Sequence, residues 1–238
     1  TTEIYTLSLH DALPISSFSS SDAGLSALME NFAKDHPGTY GVSMIELDGK
    51  KRRAEYNGDK QFVTASTYKL LVAYSLLKRI DSGARSWDSD QACFNKMISL
   101  SDNACAESFL NAIGVSTLTS EANAIGLKNS TFMKGGGPYT TANDQALLLG
   151  MIATGQNFSS ANQQRLLEAM KKNAYRKGIP AGVSGTVADK VGFMNGLLHD
   201  SAIVYGSHGT YVLSIMTDGA SWEAIADLAK QLDALRAQ

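Results

Sequence analysis

Strand-type sequence occurs in this chain only near its two ends, and the long stretch between reads as helix. The stretch Tyr40 to Leu47 is rich in β-formers, Asp48-Gly49 is a hairpin turn signal, and a return strand is expected from Lys51 to Tyr56, closed by Asn57-Gly58. Towards the other end, Val187 to Val191, Ser201 to Val204 and Thr210 to Met216 read as strands. Between them the apolar residues recur at helical spacing. Leu70, Leu71, Tyr74, Leu77 and Ile80 predict a helix over 67–80, and further helices are expected over 88–100, 103–113, 116–125, 141–154 and 161–176. Helices also flank the whole: Leu25, Leu28, Met29 and Phe32 mark one over 22–34, and Ile225, Leu228, Leu232 and Leu235 another over 222–235. Strands so far apart in sequence can share one sheet only if the chain ends meet. The expected class is therefore α+β: an antiparallel sheet with the terminal helices packed on it, and a helical lobe inserted between strands. The corresponding division is 22–60 plus 180–238 for the sheet lobe and 61–179 for the helical lobe, after a tail and linker over 1–21.

Composition narrows the function. The 238 residues carry 21 basic and 23 acidic side chains, a net charge of -2. That balance excludes the Lys/Arg excess by which proteins bind nucleic acid. No apolar run is long enough to span a membrane. Two Cys and four scattered His offer no ligand cluster, so neither metal nor cofactor is expected. The first sixteen residues, Thr1 to Ser16, resemble the translated reading of a DNA-sequencing adapter of the kind that enters metagenomic assemblies. Glu3 and Asp11 are their only charged residues, so the remainder of the chain is formally neutral.

Three short motifs carry chemistry. Ser66-Thr67-Tyr68-Lys69 opens the strongest helix, with Ser66 and Lys69 on one face. A Ser there has free peptide N–H groups beside it, and a Lys pressed against an apolar interior favours its neutral, proton-accepting form. Ser101-Asp102-Asn103 lies between two helices; on its own it is a capped turn, or else a hydroxyl relay beside an amide clamp. Lys190-Val191-Gly192 lies on a strand: an edge lysine on its own, or else a cation beside a glycine that lets a ligand approach the backbone.

In this order the three resemble the signature of the penicillin-recognising serine hydrolases, class A β-lactamases among them. The resemblance runs from about Asp22 to the C-terminus. It implies that Ser66 attacks a lactam or amide carbonyl, that Lys69 accepts its proton, and that Ser101 passes a proton to the leaving nitrogen. Asn103 would hold the substrate's side-chain amide and help place Lys69, and Lys190 would bind the substrate carboxylate. Gly192 lets the backbone close on the ligand, and the N–H groups of Ser66 and Phe193 would form an oxyanion hole, each such donor being worth ~3 kcal/mol in the transition state. The implied substrate is a β-lactam or a D-alanyl peptide, the implied state a monomer, and the implied location the periplasm or the exterior, although this chain shows no export signal.

The chain departs from the family at three points. Val191 stands where Thr or Ser is usual and lacks the hydroxyl that would bond a carboxylate. The family's Glu, which activates the deacylating water, has no counterpart: Leu127 to Tyr139 holds no Asp or Glu and looks more like the D-alanyl-D-alanine carboxypeptidases. Ser66 and Ser101 are only 35 residues apart, so the helical lobe is trimmed. Acylation with slow deacylation is expected, with Glu107 the nearest carboxylate to serve as a base. A cell-wall D,D-peptidase is the alternative, and a non-catalytic binding module on the same fold a further one. Intact Ser66, Lys69, Ser101, Asn103 and Lys190 argue against the last. His199-Asp200 invites a Ser-His-Asp reading, but a Ser-Lys pair needs no His, and His199 is read as structural. Cys93 and Cys105 flank the Ser-Asp-Asn motif and are either bridged or a free buried pair. Tyr139 is a candidate for the site rim, and Trp87 and Trp222 are read as packing residues.

Overall fold

A strand covered on both faces loses the alternation of a half-buried one, and that is the case for the central strands here. In a computed structural model, which describes residues 21–133, 135 and 137–238, β1 (Thr39–Glu46) is buried at every position from Tyr40 on. It lies in a five-stranded antiparallel sheet with β2 (Arg53–Tyr56), β5 (Thr186–Met194), β6 (Leu197–Gly206) and β7 (Gly209–Asp218), in the order β2-β1-β7-β6-β5. The two ends of the sequence thus meet in one sheet, with β1 paired along its length to β7. The adapter-like stretch lies outside the described residues.

One sheet face carries Val42, Met44, Val204, Leu213 and Ile215 and packs on α1 (Ala23–Asp35) and α9 (Trp222–Arg236) through Leu25, Met29, Phe32, Ile225, Leu228 and Leu232. The other face presents Ile45, Ala188, Ile203 and Val212 to the helices between the strands. These are α2 (Lys69–Asp81), α3 (Trp87–Ser99), α4 (Asn103–Ile113), α5 (Val115–Ala124), α6 (Ala142–Thr154) and α7 (Ser160–Lys171). Helix α2 is their axis: every residue from Lys69 to Leu77 is buried, as expected of a helix packed on all sides. None of the helices among the described residues is long and apolar enough to cross a membrane.

The differences from the sequence reading concern ends and short elements. The helix expected from 67 begins at Lys69, after a 3₁₀ turn over Ala65–Tyr68. The helix expected to reach 176 stops at Lys171, because Asn173 and Arg176 turn instead to the carboxylate of Asp189. The second strand starts at Arg53 rather than Lys51. Strands β5 and β6 run further than expected and meet at Asn195-Gly196, both at positive φ, the geometry of a two-residue hairpin turn. The pair β3 (Phe62–Val63) and β4 (Tyr139–Thr140) and the single turn α8 (Ile179–Gly182) are too short to show a period.

Cys93 and Cys105 are bridged, which settles the choice the sequence left open. The bond ties α3 to α4 on either side of the Ser101 turn. Replacing both residues (Cys93→Ala with Cys105→Ala) is expected to cost about 2–3 kcal/mol of stability, read as a lower urea midpoint.

Candidate active site

Ser66 is held by the chain that precedes it. The Thr64 carbonyl accepts both the N–H (3.0 Å) and the hydroxyl (2.8 Å) of Thr67, which winds the 3₁₀ turn. Ala65 enters it at φ 45°, a left-handed conformation that L side chains avoid. Ser66 is thereby set at the head of α2, half-buried, with Lys69 one turn on and wholly buried. Lys69 Nζ donates to Ser66 Oγ (3.1 Å), to the Ser101 carbonyl (2.6 Å) and to Asn103 Oδ1 (2.8 Å), and lies 3.3 Å from Ser101 Oγ.

Ser101 arrives on the turn between α3 and α4. Its φ of 59° is also left-handed, and Asp102 caps α4 by accepting the N–H of Cys105 at 2.8 Å. Within Ser101-Asp102-Asn103, Asp102 holds the turn, while Ser101 and Asn103 reach Lys69.

The third motif comes from the edge of the sheet. Lys190 on β5 is wholly buried and donates to Ser101 Oγ (2.9 Å) and to the Val191 carbonyl (2.7 Å). One hydroxyl, Ser101 Oγ, thus stands between two ammonium groups. Gly192 is required by contact: a Cβ there would lie 2.7 Å from the Thr64 carbonyl oxygen and 2.8 Å from the Ser66 nitrogen. Any side chain would push β5 off the turn that carries Ser66. Phe193 follows on the same strand, 44% exposed. Burial draws the Lys69 ammonium down to about 8. Burial, helped by the charge of Lys69, draws Lys190 down to about 7. Each is thus poised to exchange a proton near neutrality.

His199 pairs with Gly192 across the hairpin, on the sheet face of Lys190, but its ring nitrogens bond the Val63 and Thr217 backbone rather than Ser66. The Thr217 N–H must donate to its Nδ1 (3.1 Å), so Nε2 carries the proton and donates to the Val63 carbonyl (2.9 Å). Both nitrogens are used in clamping the segment before Ser66 to the sheet, and burial lowers the ring's affinity for a second proton. Asp200, the next residue, points to the opposite face and accepts the Ile179 N–H at 2.8 Å. No His-Asp pair forms.

The sequence reading missed what lies behind Lys190. Asp189, wholly buried, takes Arg176 and the Asn173 amide, and Asp200 lies diagonally across the hairpin. Burial holds both carboxyls above the usual range. The signal was present: an Asp beside a Lys on a strand covered on both faces needs partners from another element. Of the remaining candidates, Glu107 is exposed on α4 with its charge felt at Lys69. Tyr139 pairs with Val63 in β4. The stretch without carboxylates is pinned by Asp144 of α6, which accepts from the Asn129 N–H (2.9 Å) and the Ser130 hydroxyl (2.7 Å).

A family model described as the β-lactamase enzyme family matches residues 24–92 and 89–235. Among solved structures, PBP-A superposes with a TM-score of 0.84 at 20% identity, covering 91% of this chain and 98% of that one. A mutant of PBP-A, in an acyl-enzyme complex with penicillin G, gives 0.82 at 21% identity over 90% and 96%. A β-lactamase from Sphaerobacter thermophilus gives 0.79 at 20% identity over 90% and 97%. No curated protein matches significantly. These likenesses show the fold, and the family match spans nearly all the described residues: the chain belongs to the β-lactamase enzyme family, as a β-lactamase-like serine hydrolase.

Proposed function

We propose that this hydrolase is acylated at Ser66 by β-lactams and releases the product slowly. The observation that carries the reading is the chain of contacts Ser66–Lys69–Ser101–Lys190, a continuous path for one proton from the nucleophile to the leaving group. Ser66 Oγ adds to the lactam carbonyl while its proton passes to the neutral Lys69 amine. The developing oxyanion is met by the N–H groups of Ser66 and Phe193. The ring C–N bond then breaks, and the nitrogen takes a proton from Ser101 Oγ, which Lys69 replenishes. The product is an ester on Ser66. Lys190 supplies positive charge for the substrate carboxylate, and Asn103 holds the acyl-side amide as well as Lys69.

Hydrolysis of that ester needs a base beside a water. Leu127 to Tyr139 has no carboxylate to supply one, and Glu107 is exposed and one turn beyond Asn103. The same stretch favours a second reading, a D-alanyl-D-alanine peptidase, whose acyl-enzyme is resolved on a natural peptide. The disulfide fits an oxidising compartment, so periplasmic or secreted action is part of the proposal, as is a monomeric state.

Mass spectrometry after penicillin treatment is expected to show one adduct that persists for many minutes and is absent from Ser66→Ala. Full turnover within seconds would overturn slow release, and labelling of Ser66→Ala would overturn the assignment of the nucleophile. Release of D-alanine from a D-alanyl-D-alanine peptide, with poor turnover of a cephalosporin, would select the second reading.

The two lysines predict a split pH dependence. Lys69 must be neutral to accept a proton, so the acylation rate constant should rise with pH, with a midpoint near about 8. Lys190 must be charged to hold a carboxylate, so affinity for carboxylate-bearing substrates should fall as pH rises through about 7. Stopped-flow acylation at varied pH separates the two. Lys69→Arg, which keeps its proton, is expected to lose roughly 10²–10⁴ in the acylation rate constant.

A further inference from the structure

The hairpin of β5 and β6 holds a buried acid that no step of the proposed reaction uses. Asp200 is wholly buried, on the sheet face turned away from Lys190. Its Oδ2 accepts the Ile179 N–H at 2.8 Å, and among the described residues nothing bonds Oδ1. A carboxylate out of water needs donors on both oxygens. The cations that could supply them are engaged. Arg176, from the connection between α7 and α8, is taken by Asp189 and the Val187 carbonyl. Lys190 donates to Ser101 Oγ and the Val191 carbonyl on the other face. Strand β7 places Ile215 opposite Asp200, and α8 carries no titratable group. Asp189 is a second carboxyl on the same face as Asp200, and two like charges in one dry space repel. Asp189 has the Arg176 guanidinium and the Asn173 amide, so the negative charge belongs there. Burial, and then the charge of Asp189, hold the Asp200 carboxyl well above the usual carboxylate range.

The two acids moor one stretch of chain. Residues 172–178 connect α7 to α8. Asp189 holds Asn173 and Arg176 within it. Asp200 holds its far end, where it takes the Ile179 N–H and where a Cβ on Gly178 would strike Oδ2. Between these ties the Ala174 N–H donates to the Ser99 carbonyl at 2.9 Å, two residues before Ser101. Asn173 and Gly178 are buried, while Lys172 and Lys177 are exposed.

We propose that Asp200 is a positioning residue, which latches the connection 172–178 to the sheet and so holds the turn of Ser101 in place. In the latch Asp189 works as a carboxylate and Asp200 as an un-ionised acid. Release of the connection lets water reach Asp200, which then gives its proton to solvent. The latched form thus holds a proton that the released form does not. The latch is firm at acid pH, and it weakens as pH rises from the ordinary carboxylate range towards that of the latched acid. Within that window, opening gains about tenfold per pH unit. The consequence for chemistry rests on Ser101 as proton donor to the leaving nitrogen; the latch itself does not.

Limited trypsin digestion tests the latch, with cleavage after Lys172, Arg176 and Lys177 followed by mass spectrometry. Where opening and closing outpace cleavage, the rate reports the open population. The ratio of wild type to Asp200→Asn at these sites cancels the protease's own pH dependence. It should climb about tenfold per pH unit through neutral pH, with no such trend at other sites. A flat ratio overturns the latch, and so does a ratio that climbs equally at every site, which marks global unfolding. If Asp200→Asn does not fold, the wild type decides. The infrared carbonyl band of an un-ionised carboxyl should persist while cleavage accelerates and fade where the acceleration levels off; a band lost before neutral pH overturns the proposal. Acylation by penicillin tests the positioning. Asp200→Ala and Gly178→Ala each break the far tie and should acylate about tenfold more slowly, with Asp200→Asn restoring the rate constant to within about twofold of wild type. Wild-type rate constants in both broken variants overturn the positioning role. If the wild type itself is not acylated, the hydrolase reading falls, and cleavage alone decides whether the latch stands.

Discussion

Two ammonium groups lie out of water a few ångströms apart, and the rest of the molecule is arranged around that constraint. Moving a lysine from water into a protein interior is costly unless its N–H groups find acceptors. The oxygens that meet Lys69 and Lys190 are all neutral: the Ser66 and Ser101 hydroxyls, the Asn103 amide and two peptide carbonyls. Neutral acceptors satisfy the geometry without fixing the charge. A carboxylate in the same place would hold each lysine protonated.

Holding such an arrangement requires stiff neighbours. Ser66 is fixed by the Thr64–Thr67 turn, and its segment is clamped to the sheet by His199. Ser101 is fixed by the Asp102 cap and the disulfide across it. Lys190 is fixed by strand pairing along β5, which turns Lys190 to the cleft and its neighbour Asp189 to the opposite face. The charged partners that a buried strand would be expected to exclude, Asp189, Arg176 and Asp200, are gathered on that far face. Of the six non-glycine residues at positive φ among the described residues, two, Ala65 and Ser101, adjoin or form the candidate site. Strain of that kind persists only where the surroundings overdetermine the conformation.

Much of this was legible in the residues. Long elements with a clear period, such as α2 and α9, were readable because tertiary packing agreed with local pattern. The Ser66, Lys69, Ser101 and Lys190 contacts were expected from motif order, although no motif alone was specific. What escaped notice was set by long-range partners. The early end of α7 depends on Asp189, a residue on another element, and no local rule foretells it. The 3₁₀ turn before α2 depends on Thr64 and a strained Ala65. Tyr175, Phe193 and Trp222 meet edge to face although they lie on three separate segments, so their contact carries no shared sequence signal. The Asn195-Gly196 hairpin is a different case: the signal was plain in the sequence, and the strands were simply drawn too short.

The pairing of β1 with β7 sets the order in which the protein can become itself. The strand over residues 39–46 has no neighbour on its β7 side until residues 209–218 exist, and β5 joins the sheet only through β6. Contacts of such sequence separation form late, because the loop entropy must be overcome before they contribute. During synthesis the turn that carries Ser66 is made before Gly192 and Lys190 exist. A nascent or truncated chain therefore holds Ser66 and Lys69 with no cleft around them. The cleft around Ser66 and Lys69 is thus completed only when both ends of the chain have closed into one sheet.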